Sequence, residues 1–412
     1  VKKGGFLRVV AFLGVLFSPG AALAFGQWQS EEASVGLRGF TSLGGAYTRN
    51  PKASYLYDSR EDLLWDVDQR LLATAKYREN ARFDLNVLQN IRTTNTPVPG
   101  AGQGGAERSG LFSWQQHESG NSEASLSVDT AAFHFVRENI EWSVGRQPVN
   151  LATTMYFSPN DFFAPFAAQT FFRTYKPGVD SGRVEVRLGN LAQLSVIGVL
   201  GYSPENLADA GWRNRPDWSR NSLLARFVVN RNDWEWGFLG GTVRDHRITG
   251  GSLQGEFFEW LGVRAEAHYA APEQDGGSGG AEVSFGIEHR FADSLELRLE
   301  QFHHGQGYGS AEALGLALAS GSLRQGYTGR DYTALGASYE FSPLLTGQVL
   351  ILANWSDHSQ LLSLNGVYSL SDEAELAVTF SIPRGDHSEN NFIGSEFGFA
   401  PTTLACAFRV YY

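Results

Sequence analysis

The 412-residue chain carries 33 Lys and Arg against 44 Asp and Glu, a formal net charge of −11, which argues against a nucleic-acid partner. Its one cysteine, Cys406, rules out an intramolecular disulfide, a Cys-rich metal centre and covalent c-type haem, since no Cys-x-x-Cys-His occurs. With 47 Gly, 13% aromatic residues and no later apolar run near the ~20 residues of a membrane helix, the composition points to one all-β body.

The chain opens with Lys2, Lys3 and Arg8, then the apolar run Val9 to Phe17, then Ala22-Leu23-Ala24. Basic flank, short apolar core and small-x-small site describe a secretory signal peptide over 1–24, cleaved after Ala24. Residues 25–412 are then the folded body.

Strict alternation recurs along that body. Trp65, Val67, Leu71, Ala73 and Ala75 oppose Asp66, Asp68, Arg70, Thr74 and Lys76, and Phe83, Leu85, Val87 and Ile91 oppose Arg82, Asp84, Asn86 and Arg92. The same pattern sets Val184, Val186 and Leu188 against Arg183, Glu185 and Arg187. Val263, Ala265 and Ala267 oppose Arg264 and Glu266, and Leu297 and Leu299 oppose Glu296, Arg298 and Glu300. Successive side chains of a strand point to opposite faces, so each segment has one apolar and one charged surface. Strands are predicted near 35–47, 63–77, 81–92, 123–137, 140–147, 179–189, 191–201, 222–230, 233–244, 247–258, 261–270, 281–290, 295–304, 331–340, 345–354, 359–369, 374–382 and 402–412. That is about 18, within a range of about 16 to 20.

A soluble sandwich would alternate too, and the connections discriminate between the two. Tight turns fall at 78–80, 137–139, 189–190, 231–233, 292–294, 342–343 and 371–373. Longer connections intervene at 48–62, 93–122, 148–178, 202–221, 271–280, 305–330 and 383–401. Two others, near 245–247 and 355–358, are short where long ones are expected. Short turns on one rim and long loops on the other predict a single transmembrane antiparallel β-barrel with periplasmic turns and extracellular loops. The Arg-Glu-Asn tripeptides at 78–80 and 137–139 are read as turn chemistry, with Asn tolerating left-handed backbone, rather than as a repeat. Aromatics near strand ends, Trp65, Tyr77, Trp142, Trp234, Trp236, Tyr269, Tyr339 and Trp355, fit interfacial girdles; packed core aromatics are the alternative.

The last strand puts Leu404, Cys406, Phe408, Val410 and Tyr412 on one face and ends in an aromatic. Phe408, Val410 and Tyr412 resemble the C-terminal signal that outer-membrane barrels present to their assembly machinery. These features together predict a Gram-negative outer membrane and its lipid as the setting.

Segment 145–189 is the densest in distinctive residues. Gly145-Arg146-Gln147-Pro148 ends one strand, Ser158-Pro159-Asn160-Asp161-Phe162-Phe163-Ala164-Pro165-Phe166 follows, and Lys176-Pro177-Gly178-Val179-Asp180 starts the next. Phe157, Phe162, Phe163, Phe166, Phe171 and Phe172 need burial. One reading folds 148–178 inward as a constriction, with Arg146, Asp161, Arg173, Asp180, Arg183 and Arg187 nearby. The other packs it on the rim or against another subunit. Alternation puts Arg146 on the apolar face with Trp142 and Val144, unless Gly145 bulges or the residue sits at the headgroup rim.

This pattern resembles a group of bacterial porins, familiar from porin-like proteins of metal-reducing deltaproteobacteria. It covers about 40 residues, carried by Gly145, Arg146, Gln147, Pro159, Asp161, Pro165, Pro177, Gly178 and Asp180. The resemblance implies a passive channel, and, because some such porins are thought to sheath multihaem cytochromes, an electron conduit as the alternative. Multihaem cytochromes or a homo-oligomer are the partners it admits.

By parity the barrel interior carries both signs, with Arg82, Arg183, Arg187, Arg264 and Arg298 against Asp84, Glu185 and Glu266. A uniform basic ring would indicate an anion pore; the mixture indicates a hydrated, weakly selective lumen or a polar wall against another protein. No Gly-x-Ser-x-Gly, phosphate loop or His-Glu-x-x-His occurs, and His303 and His304 point to opposite faces. No catalytic residue, metal ligand or cofactor is assigned, and a barrel enzyme lacking any local motif is the third reading.

Overall fold

The computed structural model describes residues 26–53, 55–93, 107–119, 122–171, 175–202, 216–273, 279–319 and 326–412. The expected leader, 1–24, and Phe172 and Arg173 lie outside the described residues. The strands are β1 (Gln27–Gln29), β2 (Ala33–Arg49), β3 (Glu61–Tyr77), β4 (Ala81–Thr93), β5 (Ser113–Ser119), β6 (Ser122–Arg137), β7 (Ile140–Gln147), β8 (Val179–Leu188), β9 (Ala192–Val199) and β10 (Ser222–Arg231). They continue as β11 (Trp234–Val243), β12 (His246–Phe257), β13 (Leu261–Pro272), β14 (Gly280–Arg290), β15 (Glu296–His304), β16 (Asp331–Ser342), β17 (Leu345–Asn354), β18 (Ser359–Ser371), β19 (Ala374–Arg384) and β20 (Thr402–Tyr411). Among the described residues one α-helix, α1 (Ala311–Ala319), lies in the connection before β16.

Eighteen of these strands form a closed antiparallel barrel, sealed where β2 pairs with β20 from Phe40 opposite Tyr411 to Arg49 opposite Thr402. Closure removes the edges that would otherwise template aggregation. The predicted strands coincide with the barrel strands. The two remaining strands and α1 are absent from the sequence reading: β1 is three residues long, and β5 is a polar segment, Ser-Trp-Gln-Gln-His-Glu-Ser, without alternating apolar residues. β1 pairs with β2 at Ser34–Gly36, and β5 doubles back on β6 at Ser122–Ser127, beyond the end of β7.

The apolar parity points outward. Leu63, Trp65, Phe83, Phe133, Trp142, Leu223, Phe238, Phe285, Leu335, Leu376 and Leu404 are all exposed. Their charged alternates face the interior. All the expected tight turns fall on one rim, and the two unexpectedly short connections, at Arg244-Asp245 and 355–358, fall on the other. Arg244 and His358 hold positive φ there, which lets so short a turn reverse the chain. The two Arg-Glu-Asn turns differ: Arg78 takes the left-handed conformation in the first and Glu138 in the second. Asn is therefore not the residue that supplies it, and Asn139 instead donates its side-chain amide to the Arg187 carbonyl, 3.1 Å away. Of the expected girdle residues, Trp65, Tyr77, Trp142, Trp236, Tyr269 and Trp355 are exposed on the outer face or rim.

Candidate functional site: a loop folded onto the lumen wall

The connection between β7 and β8 does not stand above the barrel. Phe157 is 0% exposed and Phe163 1%. Val149, Leu151 and Phe163 pack on Ile197, Val199, Leu224, Leu239, Val243 and Ile248, which face inward from β9 to β12. Further along, Phe157 and Ala168 pack on Phe302, Tyr332, Ala334, Leu350, Leu352 and Leu361 of β15 to β18. Phe157 stacks on Phe302 with centroids 5.0 Å apart. The loop then returns to the opposite wall, where Tyr175 stacks on Phe40 at 5.5 Å and carries Arg70 at 4.8 Å over its ring. Each buried Phe contributes roughly 1.5–3 kcal/mol, so the apolar contacts alone favour the inward position.

Sequence alternation predicts a polar inner face throughout, and here it is corrected. Near the loop rim the inner faces of β9–β12 and β15–β18 are apolar, because they form the platform for 149–171. The signal is present in the chain as lapses in alternation: Val196-Ile197 and Val349-Leu350-Ile351-Leu352 are apolar on both faces. Such runs mark strands covered on both sides.

Two lumen carboxylates pin the loop by its backbone. Glu266 of β13 accepts from the amides of Thr153 at 2.5 Å, Thr154 at 3.3 Å and Asn160 at 3.2 Å. Glu300 of β15 accepts from Met155 at 3.0 Å, Tyr156 at 3.1 Å and Phe157 at 2.6 Å, and from the Ser284 hydroxyl at 3.1 Å. Both carboxylates are buried, so Glu266 lies beneath the loop instead of lining water. Converging N–H groups of a tight turn suit a carboxylate, and charge-assisted hydrogen bonds are the stronger kind. Arg264 adds a bond to the Thr153 carbonyl at 3.3 Å. Asn160, fully buried, donates to the Gly251 carbonyl at 3.0 Å.

Asp161 pairs with Lys176, tying the outgoing limb of the loop to the returning one. Burial pushes the Asp161 carboxyl up, to about 6, against the opposing charge of Lys176. Burial likewise pushes the Lys176 amine down. Pro159 is buried within the loop, whereas Pro165 is exposed beside Ala164, which holds positive φ.

Arg146 and Asp180, expected near the constriction, are elsewhere. Arg146 is opposite Ala131 and Asp180 in the ladders, on the same outward face as Val144 and Trp142. Gly145 supplies the φ of +124°, and a Cβ there would sit 2.2 Å from the Ala131 carbonyl. The residue is nevertheless 2% exposed, because residues 107–112 fold over it. Its Nε meets Asp180 at 2.7 Å, and its Nη atoms reach the carbonyls of Ser109 at 2.7 Å and Val128 at 3.2 Å. Asp180 also accepts from the Ser109 amide at 2.6 Å and the Tyr202 hydroxyl at 2.9 Å. Gln147 follows on the inner face, its side-chain amide 3.4 Å from the Ser181 carbonyl. Gly178 donates to the Asp129 carbonyl at 3.0 Å, and any Cβ would fall 2.3 Å from that oxygen. The Gly-Arg-Gln and Lys-Pro-Gly-Val-Asp motifs thus clamp the two feet of the loop; they do not line its constriction.

The remaining predicted residues lie on the inner wall in a lattice of opposite charges. Arg82 pairs with Asp84 at 2.8 Å, Arg183 with Glu185 at 3.7 Å, and Arg264 and Arg298 share Glu288 at 2.9 and 3.0 Å. Arg187 lies exposed near the turn rim. Asp129, which sequence reasoning passed over, sits at a bulge between β4 and β6 and joins Arg70 and Arg108, each at 2.8 Å. At the C-terminus Phe408 is exposed outward, Val410 shares its face, and the Tyr412 hydroxyl lies 3.3 Å from Thr41.

Neither a protein-family profile nor a curated protein sequence matches this chain. Solved structures do. Pseudomonas aeruginosa OccK9 (OpdG) is similar at 13% identity and a TM-score of 0.57, over 93% of this chain and 99% of that one. The outer membrane protein opdK from Pseudomonas aeruginosa matches at 11% identity and a TM-score of 0.55, over 91% and 99%. Acinetobacter baumannii OccAB4 matches at 9% identity and a TM-score of 0.55, over 93% and 98%. At such low identity the likeness speaks for the fold: the chain is a closed 18-strand barrel of the kind these proteins share.

Proposed function

We propose that the chain is an outer-membrane channel of the porin type, through which small hydrophilic solutes diffuse past the inward loop. The observation that carries this reading is the loop 149–171 held on the inner wall by Glu266 and Glu300, within a barrel whose outer face is apolar and whose inner face is charged. An outward row of Val, Leu and Phe is stable in hydrocarbon and costly in water. Charged residues on the inner face remain hydrated or paired, as they are in a lumen. The barrel fold shared with the outer membrane protein opdK supports the same setting. Paired charges of both signs favour weak selectivity over an anion-specific pore.

A sheath for multihaem cytochromes, the other expectation from the resemblance, finds no support in the arrangement. Part of the inner wall that such a guest would meet, on β9–β12 and β15–β18, is covered by the chain's own residues 149–171.

Purified protein in planar bilayers is the direct test, with discrete conductance steps expected. A correctly folded barrel giving none above background would refute the channel. The membrane setting has its own check. Phe285→Arg, on the exposed outer face of β14, is expected to cost about 2–4 kcal/mol of stability in lipid vesicles. Phe258→Arg, at the apex of the turn between β12 and β13, should cost little because that position reaches headgroups or water. Equal losses at the two sites would contradict the assignment of the apolar band to hydrocarbon.

A further inference from the structure

On the outer wall, just below the Arg146–Asp180 pair, lies a cleft of 740 Å³. That is within the range of about 300–1,000 Å³ found for small-molecule sites. Its floor is two glycines on adjacent strands, Gly182 of β8 and Gly198 of β9, directly opposite each other in the ladder. Neither glycine is imposed by crowding. A Cβ at Gly198 would meet nothing within 4 Å, and one at Gly182 only the Ser143 carbonyl at 3.9 Å. Val144 and Leu223 flank the glycines in the same cross-strand row, and both project strongly. The two bulky residues therefore stand as walls on either side of a two-strand trough. Phe112, from the segment folded over Arg146, and Leu200 close the upper part.

The upper end is polar but saturated. Every nitrogen of the Arg146 guanidinium donates to a protein oxygen, and both Asp180 oxygens are engaged by Arg146, Ser109 and Tyr202. A charged ligand would find no unpaired charge there to recognise it. The trough is instead continuous with the exposed outward residues Trp142, Val184 and Val196 in the row below it. On the reading of the chain as a membrane barrel, that row meets lipid.

We propose that this trough is a binding site for one hydrocarbon chain of a membrane lipid, held more durably than the lipid that surrounds the rest of the barrel. The occupant follows from the surface: apolar walls, a floor lowered by the width of a side chain, and no unpaired charge at the closed end. This rests on the membrane setting proposed above, and the following experiment separates the two.

The probe is phosphatidylethanolamine carrying a diazirine on one acyl chain, mixed into phosphatidylethanolamine–phosphatidylglycerol vesicles containing the full chain. After irradiation, label is mapped by peptide mass spectrometry. Labelling at Val144, Leu200 and Leu223 is expected to exceed that at Phe285 and Val378, outward residues far from the trough, by severalfold. Gly198→Leu, which fills the floor, should bring it down to the level of those two sites and leave Phe285 and Val378 unchanged. Gly182→Val is a second filling variant in case the first disturbs assembly, with channel conductance reporting the fold of both. Uniform labelling around the barrel would reduce the trough to ordinary boundary lipid and overturn the proposal. Enrichment that survives both substitutions would overturn it too. Label below the level of Phe285 would mean that protein fills the trough, from this chain or a second copy, and that also overturns it. Absence of label even at Phe285 and Val378 would defeat the membrane setting itself.

Discussion

Replacing Glu266 and Glu300 together with Ala is expected to release the loop from the lumen wall and raise single-channel conductance severalfold, with marked flicker. The reason is the number of backbone amides left behind. Glu300 alone serves Met155, Tyr156 and Phe157, and Glu266 serves Thr153, Thr154 and Asn160. Each buried amide stripped of its acceptor costs about 1–3 kcal/mol. Even two such losses, about 3 kcal/mol, would shift the docked-to-free ratio more than a hundredfold. The Phe157 and Phe163 contacts oppose release, so the open state should be visited rather than permanent. Glu300→Gln keeps an acceptor and loses only the charge, and its effect should be smaller. Glu185→Gln changes the lumen charge equally, but its partners are Gln193, Ser195 and Arg183, so it should leave the loop docked. If the double Ala variant conducts like the wild type, the loop is not the element that limits flow.

Arg146→Ala should be the most damaging single substitution in the barrel wall. It removes a buried guanidinium from Asp180, which is left as an uncompensated carboxylate, and it orphans the carbonyls of Ser109 and Val128. Losing one partner of a buried pair costs about 3–5 kcal/mol, far above an exposed ion pair. Thermal unfolding in detergent, followed by the gel shift between folded and heated barrel, would measure it. Arg146→Lys should recover only part, since an ammonium cannot span Asp180 and two carbonyls from one position. The exposed pair Lys52–Glu389 is the comparison: Lys52→Ala should change stability by less than about 1 kcal/mol. An Arg146→Ala barrel that melts with the wild type would show that the pair is decorative.

The placement of Arg146 also shows where sequence reasoning stops. Alternation puts it on the outward face, and the structure keeps it there, although a bare guanidinium on that face would be costly in lipid. The cover comes from residues 107–112, which fold over the outer wall and bring Ser109, 37 positions away, to it. Nothing near Gly145-Arg146-Gln147 announces that cover. Gly178 is similar, because its need for glycine comes from the Asp129 carbonyl, and Asp129 is displaced toward it by a bulge in another strand.

The strands themselves were legible because their cause is local. A two-residue period, read over eight to seventeen residues, states which face meets an apolar medium, and turns of two to four residues fix register and rim. Closure into eighteen strands then follows from pairing neighbours and joining the ends. The loop was half legible: its Phe residues required burial, but the side on which Phe157 and Phe163 bury depends on Ile197, Leu224, Leu350 and Leu352, contributed by strands far along the chain. The carboxylates that hold it look, in sequence, like any other charges on a lumen face. Local periodicity is set by the backbone of each strand, whereas the seat of the loop is set by side chains that meet only once the ring is closed, and that is why tertiary structure alone decided it.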